Sequence, residues 1–159
     1  MENQMKLIFD KVITDDSNYL NEIREISELK RKTKVVYVYS YVEESINYPF
    51  KEGKIIYIGK AHREKETTAK RFTQHFSEND TGSNRTLINI KERKKKIRLQ
   101  IFQIKDMNEN EVEMMLFQWH IREFGALPIA MSAGGKNYMR KKIDQMRFYE
   151  IGSITSKIP

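Results

Sequence analysis

A chain of 159 residues is long enough to enclose one hydrophobic core and too short for two ordinary domains. It has no cysteine, which excludes disulfide frameworks, thiolate nucleophiles and thiolate zinc sites and leaves any metal to oxygen or nitrogen ligands. Its 29 Lys and Arg against 22 Asp and Glu give a formal charge of +7, a balance that attracts polyanions such as nucleic acid and also serves plain solubility.

The first ten residues mix charges into their apolar positions, too polar for a signal peptide, and no stretch approaches a membrane span. The expectation is a cytoplasmic protein with no membrane partner. Leu20, Ile23, Ile26 and Leu29 recur every third residue behind Asp15, Asp16 and Ser17, which predicts an amphipathic helix over 17–32 as an N-terminal addition. Val35 to Val42 is dense in β-branched and aromatic residues, and Lys54 to Gly59 repeats that character after a polar connection containing Pro49 and Gly53, so a hairpin with a long loop is predicted. A charged helix through Arg71 and His75 and a Lys-rich helix over 84–96 should follow. A third strand fits Ile97 to Ile104, where Ile97, Leu99 and Ile101 alternate with Arg98 and Gln100. Beyond Asn108 the chain is apolar on nearly all sides of a helix that stops near Gly125, the spine of the core. Pro128 and the Ser132-Ala133-Gly134-Gly135 loop precede a last basic helix bearing Met139, Ile143 and Met146, and the tail from Gly152 is expected to fray.

Two tyrosine-bearing strands, a helix with Arg71 and His75, and a buried helix with an acidic residue follow one another in that order. Tyr57-Ile58-Gly59 with Lys60 behind it, and Arg71 with His75 four residues on, make this order resemble the GIY-YIG nuclease superfamily, over residues 34–128. Val35-Val36-Tyr37 keeps only the tyrosine of the first half-motif, and the Gly59-to-Arg71 interval is longer than the family pattern, which implies an inserted turn. The resemblance implies an α+β fold with a small two- or three-stranded antiparallel sheet flanked by helices. Residues 1–33 would be a helical extension to that core and 129–159 a basic C-terminal loop and helix, all within one domain. It further implies one divalent ion, Mg2+ or Mn2+, held by a single glutamate.

Each role has a physical argument. Phosphodiester hydrolysis needs a base to activate water, positive charge on the phosphorane and help for the departing oxyanion. Arg71 offers a permanently charged planar fork for a phosphate oxygen, and His75, on the same helix face, could accept a proton from a tyrosine or from water. By resemblance Tyr37 would orient or deprotonate the water with Tyr57 as its support, although Tyr39 shares its face and stands as an alternative. A phenol titrates near ~10, so such service requires a neighbouring cation. Glu113 is the expected metal ligand, because Glu111 stands three residues after Asn108 and could belong to a capping box. Met131 occupies the position where the family has an asparagine; Asn137 could fold back to replace it or only cap the last helix. Lys60 could touch phosphate or tune a tyrosine, or be an ordinary strand-end lysine. The run through Lys94, Lys95 and Lys96 would track a DNA backbone, or be a solvated helix end. Trp119 and His120 read as packing residues.

The expected activity is therefore a metal-dependent endonuclease acting on DNA, of restriction type where the N-terminal helix, the 43–53 loop and the C-terminal helix supply recognition. A double-strand break would call for a homodimer or successive nicks. The alternative is a noncatalytic nucleic-acid-binding domain on a degenerate nuclease scaffold, suggested by Val35 and Met131.

Overall fold

The computed structural model of the chain describes residues 5–13, 19–62, 67–73, 93–131 and 148–159, without the side chains of Arg71, Thr73, Phe148 and Tyr149. In chain order the elements are β1 (Met5–Ile13), α1 (Tyr19–Glu25), β2 (Val35–Tyr41), β3 (Ile46–Asn47), β4 (Glu52–Gly53), β5 (Ile55–Ala61), α2 (Lys70–Thr73), β6 (Ile97–Ile104), α3 (Glu109–Phe124), a 3-10 turn (Phe148–Ile151) and α4 (Gly152–Thr155). The main sheet runs β1-β6-β2-β5 with every pair antiparallel, and β3 with β4 forms a small hairpin inside the long loop. The α+β class is as the sequence predicts, but the main sheet has four strands rather than two or three.

The additional strand is β1, which the sequence pattern does not announce. A bulge between Leu7 and Phe9 shifts its register, so Met5 joins one face and Phe9 and Ile13 the other. A strand that changes faces midway loses the strict alternation by which strands are recognised. Asp10 and Arg98 then clamp β1 to β6 through two bonds of 2.7 Å each.

β2 is buried from Val35 through Ser40 because strands lie on both sides of it and helices cover both faces. On one face Tyr37 and Tyr39 pack with Leu99, Ile101, Phe9 and Ile13 beneath α1 and the 67–73 segment. On the other, Val36, Val38, Ile58 and Phe102 meet Val112, Leu116 and Phe117 of α3. α3 matches its predicted span. Asn108 caps it by accepting from the Asn110 amide at 2.8 Å, and Gly125 ends it at φ 86°, a left-handed turn that glycine adopts without strain.

α1 is shorter than predicted. Apolar residues spaced strictly by three drift around an α-helix but stay aligned when each amide reaches back three residues. After Glu25 the chain does this, with Ile26 bonded to Ile23 at 3.2 Å and Leu29 to Ile26 at 3.0 Å, and Leu29 remains buried. The tail does not fray: Ile151, Ile154 and Ile158 are buried in the α3-side core, and the Lys157 carbonyl accepts from Gln100 at 2.9 Å. Of the expected Lys-rich helix, residues 84–92 fall outside the described residues, while 93–96 form a turn with Lys94 at φ 57°. The expected basic helix with Met139, Ile143 and Met146 also lies outside them.

Candidate active site at the glycine of strand β5

Cross-strand pairing sets Tyr37 opposite Gly59 and Tyr39 opposite Tyr57. The Tyr37 ring leans across β5 so far that a Cβ on Gly59 would lie 2.4 Å from its Cζ and 2.5 Å from its Oη. Only glycine leaves room for this approach, which gives the last residue of the Tyr57-Ile58-Gly59 motif a steric reason. Tyr37 stacks on Tyr57 with centroids 6.0 Å apart and takes the edge of Phe72, from α2, at 5.0 Å. Tyr39 lies edge-on to Tyr37 at 5.9 Å and 6.2 Å from Tyr57. Tyr37 is thus the tyrosine whose ring touches both β5 and the helix that carries Arg71. Tyr37 and Tyr39 are both fully buried, whereas Tyr57 is partly exposed.

α3 brings a carboxylate to the same strand from the other side. Glu109 meets His62, just past β5, at 3.3 Å, and Phe124 packs over Gly53, just before it, so α3 runs antiparallel to β5. Glu113 follows Glu109 by one helical turn, a rise of about 6 Å, on the helix that packs against the other face of the sheet. Glu113 is 8 % exposed, while Glu111 points to solvent. Among the described residues β5 is the outer strand of the sheet, with the tyrosines on one face and α3 on the other. Lys60 is half-buried and pairs with Val36, on the α3 side, away from the tyrosines.

No family model matches this chain, and neither does any curated protein or any solved structure. The residues must therefore speak through their chemistry alone. The resemblance implies Mg2+ or Mn2+, and a carboxylate oxygen is the donor that such hard ions take. Among the described residues no three His, Asp or Glu side chains gather as a cage, and Glu113 is the buried carboxylate that could offer such an ion an oxygen.

His75 and Asn137 lie outside the described residues, as does the side chain of Arg71, whose backbone is in α2 beside Phe72. Lys95 bonds Glu44, and Lys96 bonds Glu43 at 2.9 Å, so both lysines are occupied by the β2–β3 connection; Lys94 is exposed. Met131 ends the loop in which the Ala130 amide donates to the Ile56 carbonyl at 3.0 Å along the edge of β5. His120 and Trp119 are packing residues: His120 lies 4.5 Å from Phe124 and 4.8 Å from Tyr48, with Nδ1 bonded to the Ala126 carbonyl at 2.6 Å. Burial pushes the His120 imidazole down to about 4 and the Tyr48 phenol up to about 12. Thr68 is a buried anchor of α2 that the sequence reading does not single out; its partner Thr33 is 35 positions away, and nothing local in the sequence connects them.

Proposed function

We propose that the chain is a divalent-metal-dependent endonuclease of the GIY-YIG kind that hydrolyses phosphodiester bonds in DNA. The observation that carries this reading is the close approach at Gly59, where the hydroxyl end of Tyr37 lies against the glycine; the buried Glu113 of α3, on the other face of the sheet, offers a carboxylate. Both features suit a site that aligns water and phosphate.

Exposure favours one order of the two phenols. A group that takes a proton from water must meet water, and Tyr57 is the partly exposed ring, with Tyr37 stacked behind it as its support. This assignment reverses the two roles drawn from the resemblance. Glu113 would hold the metal, which when bound supplies positive charge to the phosphate oxygens. Arg71, from α2, would bind the phosphate through its planar fork, and His75 would accept or relay a proton. The net charge of +7 favours the polyanionic substrate.

The deciding experiment is cleavage of a mixed plasmid pool at low salt by wild type and Glu113→Gln, with Mg2+, Mn2+ or EDTA. Metal-dependent nicking that disappears in the variant supports the reading, and discrete fragments would mark a restriction-type enzyme. Because one such site cuts one strand, second-order dependence of double-strand breaks on protein concentration would indicate a homodimer. Equal cutting by both proteins would remove Glu113 from the site. Retarded DNA without cleavage in any metal would leave a noncatalytic nucleic-acid-binding domain.

A further inference from the structure

The described part of α2, Lys70–Thr73, begins two residues after Thr68, and its place on the sheet is set by what anchors it. Two anchors are visible. At one end Phe72 is fully buried with its ring against Tyr37. At the other, Thr68 is fully buried and its hydroxyl closes on the main chain of Thr33, accepting from the Thr33 amide at 3.0 Å and lying 2.8 Å from the Thr33 carbonyl and 3.1 Å from that of Arg31. The neighbouring backbone repeats the tie, since the Thr68 amide donates to Arg31 at 3.3 Å and the Ala69 amide to Leu29 at 3.2 Å. Thr33 is itself fixed by its own hydroxyl, which donates to the Glu28 carbonyl at 2.6 Å.

We propose that Thr68 is a positioning residue for Arg71, and that residues 28–33 are the mount on which the arginine-bearing helix is set rather than an appendage to the core. This inference rests on the endonuclease reading and adds to it a part for the N-terminal segment. Arg71 lies three residues from Thr68 and next to Phe72, so the Thr68–Thr33 tie and the Phe72–Tyr37 contact fix its backbone from both sides. Losing the hydroxyl leaves the Thr33 amide without its partner and weakens the tie at this end of α2, where the main-chain bonds of Thr68 and Ala69 remain. The backbone of Arg71 is then held less firmly, and a misplacement of about 1 Å at a phosphate-binding group can cost on the order of a hundredfold in rate.

The test is a double-mutant cycle by single-turnover nicking with excess protein, on wild type, Thr68→Val, Thr68→Ser, Arg71→Ala and Thr68→Val/Arg71→Ala, each well below its melting temperature. Thr68→Val should lower the rate of the chemical step about ten- to a hundredfold with little change in DNA affinity. Thr68→Ser, which keeps the hydroxyl, should stay within about twofold of wild type. In the Arg71→Ala background Thr68→Val should have no further effect, because its route of action is already gone. An equal loss in both backgrounds, a Thr68→Ser variant as impaired as Thr68→Val, or a Thr68→Val variant as fast as wild type would each overturn the proposal while leaving the nuclease reading intact. A wild type that does not cut would overturn both.

Discussion

Replacing Gly59 by alanine places one methyl where the Tyr37 ring already is. The new carbon would stand 2.4 Å from Cζ and 2.5 Å from Oη of Tyr37. Carbon contacts settle at about 3.5–4.0 Å, so the ring tip must retreat by roughly 1 to 1.5 Å. Tyr37 is fully buried, with Phe72 at 5.0 Å and Tyr57 at 6.0 Å, and has little room to retreat. Overpacking of this kind costs about 1–3 kcal/mol, and the lower chain entropy of alanine returns about 0.5–1 kcal/mol. The net loss of about 1–2 kcal/mol corresponds to a melting temperature lower by roughly 2–8 °C at this chain length. Activity should fall further than stability, by about a hundredfold, since the displaced phenol is the one stacked behind Tyr57. Calorimetry and plasmid nicking on the same preparations separate the two effects. Tyr37→Val opens the space, so in that background Gly59→Ala should cost no stability. A Gly59→Ala variant that melts with wild type, or whose penalty is unchanged when combined with Tyr37→Val, would refute the steric argument.

Three further outcomes are expected. His120 is held neutral in the fold by burial, down to about 4 against an ordinary value near 6.5, so the unfolded chain binds its proton first on acidification; the stability is whole above about pH 6.5 and declines by about 3 kcal/mol as pH falls to about 4. Urea midpoints at pH 7 and pH 5 should differ by less in His120→Gln than in wild type, and an equal difference would remove His120 as the cause. Ile154 is fully buried in the docked tail, so Ile154→Ala should cost about 2–5 kcal/mol by denaturant unfolding, where a frayed tail would lose almost nothing. Because Lys95 and Lys96 are engaged by Glu44 and Glu43, the double change Glu43→Gln and Glu44→Gln should tighten duplex DNA binding and steepen its logarithmic salt dependence by up to about 2, with an unchanged slope showing that these lysines lie off the DNA path.

The sequence is legible where one physical signal dominates. β6 alternates apolar and polar residues from Ile97 to Ile101 and α3 is bracketed by an asparagine cap and a left-handed glycine, so both emerge with the limits they have in the fold. β1 is hidden by its bulge, and the end of α1 by an apolar spacing of three that a tighter turn satisfies as well as an α-helix does. In the tail Ile151, Ile154 and Ile158 carry a helical spacing, but Gly152 and the chain end argue for fraying; burial against the sheet decides the matter. At the candidate site the motif supplies Tyr57 and Gly59 by name, while the reason for the glycine depends on a register that pairs it with Tyr37. The Thr33–Thr68 tie and the capture of Lys95 and Lys96 join residues 35 to 53 positions apart, distances at which no periodic pattern carries information.

The strand order has a consequence for how the chain is made. β2 and β5 are close in sequence and can pair early, but β1, made long before β6, must wait for it, and the Asp10–Arg98 clamp spans 88 positions. At translation rates of about 5–20 residues per second that wait is roughly 4–18 s. During it Met5, Phe9 and Ile13 have no sheet to cover them, so the N-terminal strand is the segment of the nascent chain most open to mispairing and to capture by chaperones.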